Sequence, residues 1–150
     1  MRSKRSKLAK KTPALPDLPT PKVPSWLGLP NLEQQYLAWR FSHADIGGPY
    51  SCAVFGKKDL QLLWDRLRAF EKMNVAKLRD QGSYHSPATT SISREAKQRL
   101  SELSLDDIDV LHSFPITGPC RLWCMKHQNI MCVLWWDRNH GVCPTLKRHT

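Results

Sequence analysis

Hydrophobic positions recur along this chain with two different periods, and the two periods divide it into helices and strands. Leu60, Leu63, Trp64, Leu67 and Phe70 fall at i, i+3, i+4, i+7 and i+10, which is one face at 3.6 residues per turn. Asp65, Arg66, Arg68, Glu71 and Lys72 take the other face. The pattern predicts a helix over residues 59–73, with Asn74 capping a short turn around Val75 and Leu78. Ile92, Ala96, Leu100 and Leu103 form a second stripe and predict a helix over 91–103, capped by Ser91 or Ser93. Elsewhere the period shortens to two. Leu37, Trp39 and Phe41 alternate with Ala38, Arg40 and Ser42, which predicts a strand within 36–46 that ends before Gly47-Gly48-Pro49. Residues 50–55 read as a second short strand or an extended connection, and residues 82–90 as a loop in which His85 is a solvated side chain. Residues 112–116 form a strand that Pro115 confines to an edge or an end.

The strongest strand signal lies in the last third. Residues 121–126 mix apolar and polar strand formers, His127-Gln128-Asn129 is a polar break of turn length, and residues 130–136 carry no polar side chain except the Cys132 thiol. Two such segments around a short break predict a β-hairpin. The second strand shows no alternation, so both its faces are expected to be covered and it belongs in the middle of a sheet. Trp135 and Trp136 then point to opposite faces, both covered.

The element order is strand, helix, helix, strand, strand, strand. It implies an α+β fold of two layers, a small antiparallel sheet packed by two helices. A length of 150 residues suits one domain plus a tail. Residues 1–30 open with a Lys/Arg/Ser run and continue through Pro13, Pro16, Pro19, Pro21, Pro24 and Pro30. Such a composition predicts a basic, proline-rich disordered tail, with Trp26, Leu27 and Leu29 anchoring it to a single domain over residues 31–150.

Charge narrows the partners. The net charge is +10, but residues 1–25 hold seven Lys/Arg against Asp17 alone, so +6 belongs to the tail and +4 to the remainder. This balance favours nucleic acid or an acidic protein as partner. It makes Arg2, Lys4, Arg5, Lys7, Lys10 and Lys11 either a phosphate-binding arm or a solvated tail. Five cysteines, an odd number, with no secretory signal point to reduced thiols and a cytoplasmic protein. No apolar run approaches the ~18–20 residues of a membrane-spanning helix.

Metal chemistry is not favoured. Cys120 and Cys124 share a face of the first hairpin strand but lie about 13 Å apart at ~3.3 Å per residue, too far to chelate one ion. Asp106, Asp107 and Asp109 suit a helix start for dipole reasons alone. Cys143 and His140 are close enough in sequence for thiolate chemistry, although that spacing is generic. No cofactor is expected. RNA cleavage by 2′-hydroxyl attack requires only a base for the 2′ proton, cations for the phosphorane and an acid for the 5′ oxygen. Asp137, Arg138, His140, Lys147, Arg148 and His149, with Arg121 on the adjoining strand, are the right residue types in one neighbourhood. In this reading His140 and His149 are the acid and base, Asp137 orients a cation or a histidine, and the remaining cations hold phosphate.

Trp135, Trp136, Asp137, His140, Val142 and Pro144, with Lys147 and His149 behind them, resemble the C-terminal WWDxxHxVxP signature of a group of small bacterial proteins. Residues 39–52 resemble that group's first strand and turn. More distantly, the element order is similar to the RelE/ParE superfamily of type II toxins. That resemblance implies a sheet packed by two helices, a cognate antitoxin, and often mRNA cleavage on the ribosome by basic and histidine residues near the C-terminus. This chain departs from the pattern in its length and its extra tail, and ParE-like members act on gyrase. The expected function is therefore that of a toxin acting on RNA as a ribosome-associated, metal-independent endoribonuclease. The competing expectation is a non-enzymatic basic module that binds nucleic acid or a protein of replication such as gyrase.

Overall fold

The computed structural model describes residues 32–82 and 84–144. The described chain runs through β1 (Ala38–Arg40), α1 (Lys57–Phe70), α2 (Val75–Arg79), α3 (Arg94–Glu102), β2 (His112–Thr117), β3 (Cys120–His127) and β4 (Ile130–Asp137). The hairpin seen in the sequence is β3–β4. It turns through Gln128 and Asn129, where Gln128 takes the left-handed φ of 55° that a two-residue hairpin turn uses. β2 joins β3 by a second antiparallel pairing, and β1 pairs with β4 to give the order β1-β4-β3-β2. β4 is therefore internal, as its unbroken apolar run required. β2 is an edge strand, and its Pro115 sits where the missing N–H is tolerated.

The fold is α+β, but three features differ from the expectation. First, the sheet is mixed. β2, β3 and β4 meander through tight turns and must alternate in direction, whereas β1 reaches β4 through the long helical excursion and lies parallel to it, Trp39 opposite Met131. Second, three helices form: the apolar pair Val75 and Leu78 makes a true helical turn because the Asn74 side chain accepts the Lys77 N–H at 2.8 Å. Third, both faces of the sheet are covered, so the domain has three layers. Leu63, Leu67 and Phe70 of α1 with Val75 and Leu78 of α2 pack on one face, against Phe114, Ile116, Leu122, Met131, Val133 and Trp136. Ala96 and Leu100 of α3, with Ile92 just before it, pack on the other, against Leu111, Trp123, Leu134, Trp135 and Val142.

A β-bulge arranges this division. Trp123 opposes Trp135 while Cys124 opposes Val133, so Leu134 is one residue extra on β4. Leu134 and Trp135 consequently both enter the α3 side, and Trp136 returns to the α1 side. The α1 stripe is narrower than the sequence suggests. Leu63, Leu67 and Phe70 are buried, each adding about 1.5–3 kcal/mol by apolar burial. Leu60 and Trp64, at its border, remain 44% and 54% exposed. The loop at residues 84–91 is also more ordered than its composition implies: His85 bridges Ser113 and Ala88 bridges Val110, which covers the outer edge of β2. Among the described residues no helix is long and apolar enough to cross a membrane.

On the α1 side of β2, His112 Nδ1 hydrogen-bonds the Tyr84 hydroxyl and the two rings stack. Burial, with the nearby Lys126 and Arg79, pushes the His112 pKa down to about 4 from 6.5, and burial pushes Tyr84 up to about 12. The unfolded chain therefore binds a proton at this position that the folded chain refuses. Folding stability is expected to fall as pH drops from about 6.5 towards 4, and a His112→Phe variant should flatten that slope. Urea unfolding across this range measures it, and an unchanged slope in the variant contradicts it.

Candidate functional site

The sheet's most polar end is the carboxyl end of β4. Asp137 closes the strand and is only 2% exposed. Its carboxylate accepts the Trp123 indole N–H at 3.2 Å, the Gly141 N–H at 2.8 Å and the Val142 N–H at 2.9 Å. These bonds fold residues 138–142 back as a tight loop. Among the described residues, the hydrogen-bond partners of Asp137 are this indole and two backbone amides, and neither a cation nor a histidine is one of them. His140 sits in the loop at φ 58° and is buried, with its Nδ1 lacking a hydrogen-bond partner among the described residues.

Arg138 turns the opposite way, into solvent. It forms an ion pair with Asp59 of α1 and donates to the Val54 carbonyl. Arg121 lies across the hairpin from Asp137. It donates from Nη1 to the Gly118 and Cys120 carbonyls at 2.7 and 3.0 Å, and its buried Nε has no partner among the described residues. Burial lowers its pKa, an effect opposed by Cys120 and Asp137. Lys147, Arg148, His149, Arg2, Lys4, Arg5 and Lys7 lie outside the described residues, as does the tail of residues 1–30.

Asp137, Arg138 and Trp136 line a cleft of about 340 Å³, whose facing wall is Tyr50, Ser51 and Glu95. His140 does not line it. The Tyr50 hydroxyl lies 3.3 Å from Ser93 Oγ and donates to Glu95 Oε2 at 3.5 Å. Burial raises the Tyr50 pKa, a shift opposed by Ser93 and aided by Glu95, so this hydroxyl stays protonated at neutral pH. The cleft thus joins a guanidinium, a phenolic O–H donor and a carboxylate acceptor. That set can grip a phosphodiester and move a proton beside it.

A second buried carboxylate sets the facing wall. Asp45 accepts Arg99 Nε and Nη2 at 2.8 Å each, the Gly47 N–H at 3.0 Å and the Trp135 indole N–H at 3.0 Å. Its backbone binds the Leu134 carbonyl and the Cys52 N–H, and the Tyr50 carbonyl accepts the Trp136 N–H. The Gly47–Ser51 turn is thereby pinned to β4. Gly48 is required at its place: φ is +70°, and a Cβ would come within 2.4 Å of Arg99 Nε, which the ion pair holds still.

Sequence reasoning reached Asp137 and Arg138 of this cleft but missed Tyr50 and Glu95. Tyr50 was legible only as a residue after a glycine-rich break, and Glu95 as an acid in a first helical turn. No local spacing joins two residues 45 positions apart. Cys120, Cys124 and Cys143 are buried. Burial pushes Cys52 and Cys120 up to about 11, and it raises the Cys124 thiol well above its ordinary value. The Cys143 thiol donates to the Ser91 carbonyl. Among the described residues no group of three or more His, Cys, Asp and Glu is placed to hold a metal ion.

Fold and cleft together define a small α+β protein with a polar cleft at the end of its central hairpin. No protein-family model matches the chain, and neither a curated protein nor a solved structure matches it.

Proposed function

We propose that the protein is an RNA-acting toxin of a toxin–antitoxin pair, an endoribonuclease of RelE/ParE type that works on translating ribosomes in the cytoplasm. The observation that carries this reading is the cleft in which Arg138, the Tyr50 hydroxyl and Glu95 converge. Cleavage by 2′-hydroxyl attack assigns each a task. The Glu95 carboxylate takes the 2′ proton as the 2′ oxygen bonds to phosphorus. Arg138 exchanges Asp59 for the phosphate and offsets the charge of the phosphorane. Tyr50, held protonated, donates towards the departing 5′ oxygen. In this reading Lys147, Arg148 and His149, which follow the Asp137 loop in sequence, add further cations and a histidine for the same RNA.

The test is cleavage of a translated mRNA on reconstituted ribosomes. Arg138→Ala and Glu95→Gln should each lower the cleavage rate roughly 10- to 100-fold, the loss of one charge-assisted contact. Both side chains are exposed, and the Arg138–Asp59 surface pair contributes at most about 1 kcal/mol to stability, so the fold should persist. Wild-type cleavage by both variants contradicts the assignment.

A further inference from the structure

A second concavity, of about 730 Å³, lies at the far end of the sheet from the β4 carboxyl terminus, where Gln34, Gln35, Tyr36, Ala38, Asn74 and Asn129 meet. Among the described residues its walls are side-chain amides and its one ring is Tyr36, 68% exposed. The amides are held rather than loose. Asn129, buried at the hairpin turn, donates through Nδ2 to the Tyr36 carbonyl at 3.0 Å and to Gln35 Oε1 at 3.5 Å. The Asn74 Oδ1 is engaged by the Lys77 N–H, and Tyr36 itself bridges Asn74 through the backbone. Those bonds leave the amide N–H groups of Gln35 and Asn74 and the Asn129 Oδ1 for a ligand. Donors and an acceptor are thus fixed around an exposed aromatic ring, and the lining contains no charged side chain among the described residues.

That combination matches one chemical class closely. A nucleobase is flat, stacks on an aromatic ring and presents donors and acceptors side by side along its edge, which amides read in pairs. We infer that this concavity takes an unstacked base of single-stranded RNA, with Tyr36 as its stacking platform. The inference rests on the RNA reading of the β4 cleft and assigns that RNA a second point of contact. One feature outside the concavity supports it. The sequence before the Leu32–Gln34 turn holds the +6 of residues 1–25, a charge suited to tracking a phosphate backbone.

The experiment measures binding of the full chain to a fluorescein-labelled single-stranded RNA of roughly 12 nucleotides, the span of one such binding module. The probe is used alone and annealed to its complement, and binding is read by anisotropy. Tyr36→Ala is expected to weaken single-strand binding roughly 5- to 100-fold, the loss of one stacked base. Tyr36→Phe keeps the ring and should bind within about twofold of wild type. The duplex should gain little from Tyr36, because its bases are not free to stack on a side chain. Tyr36 is exposed, so circular dichroism of the variants should match the wild type. Wild-type affinity in Tyr36→Ala overturns this inference and leaves the cleft reading intact. Failure of the wild-type chain to bind RNA at all overturns both. Loss of cleavage in Arg138→Ala with full probe affinity confines the failure to catalysis and supports two separate contacts.

Discussion

Asp45→Ala is expected to cost about 3–5 kcal/mol of folding stability, the loss that follows when one partner of a buried ion pair is removed. The carboxylate is 5% exposed and serves four donors on three segments of the chain. Its removal leaves the Trp135 indole N–H buried and unpaired, frees the Gly47 amide and leaves the Arg99 guanidinium with Glu102 as its remaining carboxylate. In a domain of this size the melting temperature should fall by roughly 10–20 °C. The pH dependence follows from the same bonds. Burial alone would raise the Asp45 pKa, but the hydrogen bonds from Arg99, Gly47 and Trp135 outweigh it and hold the group below 3.8. A carboxyl depressed in the folded state stabilises the fold above its unfolded pKa and loses that contribution as pH falls through the folded value. Acid unfolding of the wild type should therefore steepen below about pH 4, and Asp45→Asn should lose that component. A variant as stable as wild type at neutral pH contradicts the role given to Asp45.

Asp137→Ala is expected to be nearly as damaging, at about 3–4 kcal/mol, because one indole and two backbone N–H groups lose their acceptor together. The loop that carries Arg138 and His140 should open, and amide exchange at Gly141 and Val142 should accelerate along with the fall in melting temperature. Asp137→Asn keeps one acceptor oxygen for three donors and should fall between. The sequence alone suggests that Asp137 can be neutralised without unfolding the domain. Its geometry assigns it to the scaffold, so inactivity of an Asp137 variant reports a displaced loop. Exchange at Gly141 and Val142 unchanged from wild type would contradict this.

Asp45 and Asp137 show how far the sequence carries and where it stops. Trp123 and Trp135 face each other across the hairpin, and each donates its indole N–H to a buried aspartate. The hairpin, the turn at Gln128 and the interior place of β4 are legible because they are local: a break of turn length and an uninterrupted apolar run. The helices over 57–70 and 94–102 are legible through their stripes and caps, Ser93 accepting the Ala96 N–H as its position suggests. The parallel pairing of β1 with β4 is not legible, since it joins segments about ninety residues apart by backbone bonds that carry no side-chain signature. The third layer was half visible: an apolar β4 demands two covered faces, which conflicts with a two-layer count. Trp64 fits the stripe yet stays exposed, because an aromatic at the border of a stripe satisfies the period whether or not a neighbour covers it. The cleft was legible only on its β4 side. Tyr50 and Glu95 reach it from a distant loop and helix, and nothing in their immediate sequence marks a shared site.

The central claim is that the Arg138–Tyr50–Glu95 cleft cuts RNA, and its most direct test is induced expression in a bacterial host with growth followed and total RNA 5′ ends mapped. The account predicts growth arrest with new 5′ ends inside translated frames, both lost in Arg138→Ala. Arrest with intact RNA, or normal growth with an unchanged map of 5′ ends, would contradict it.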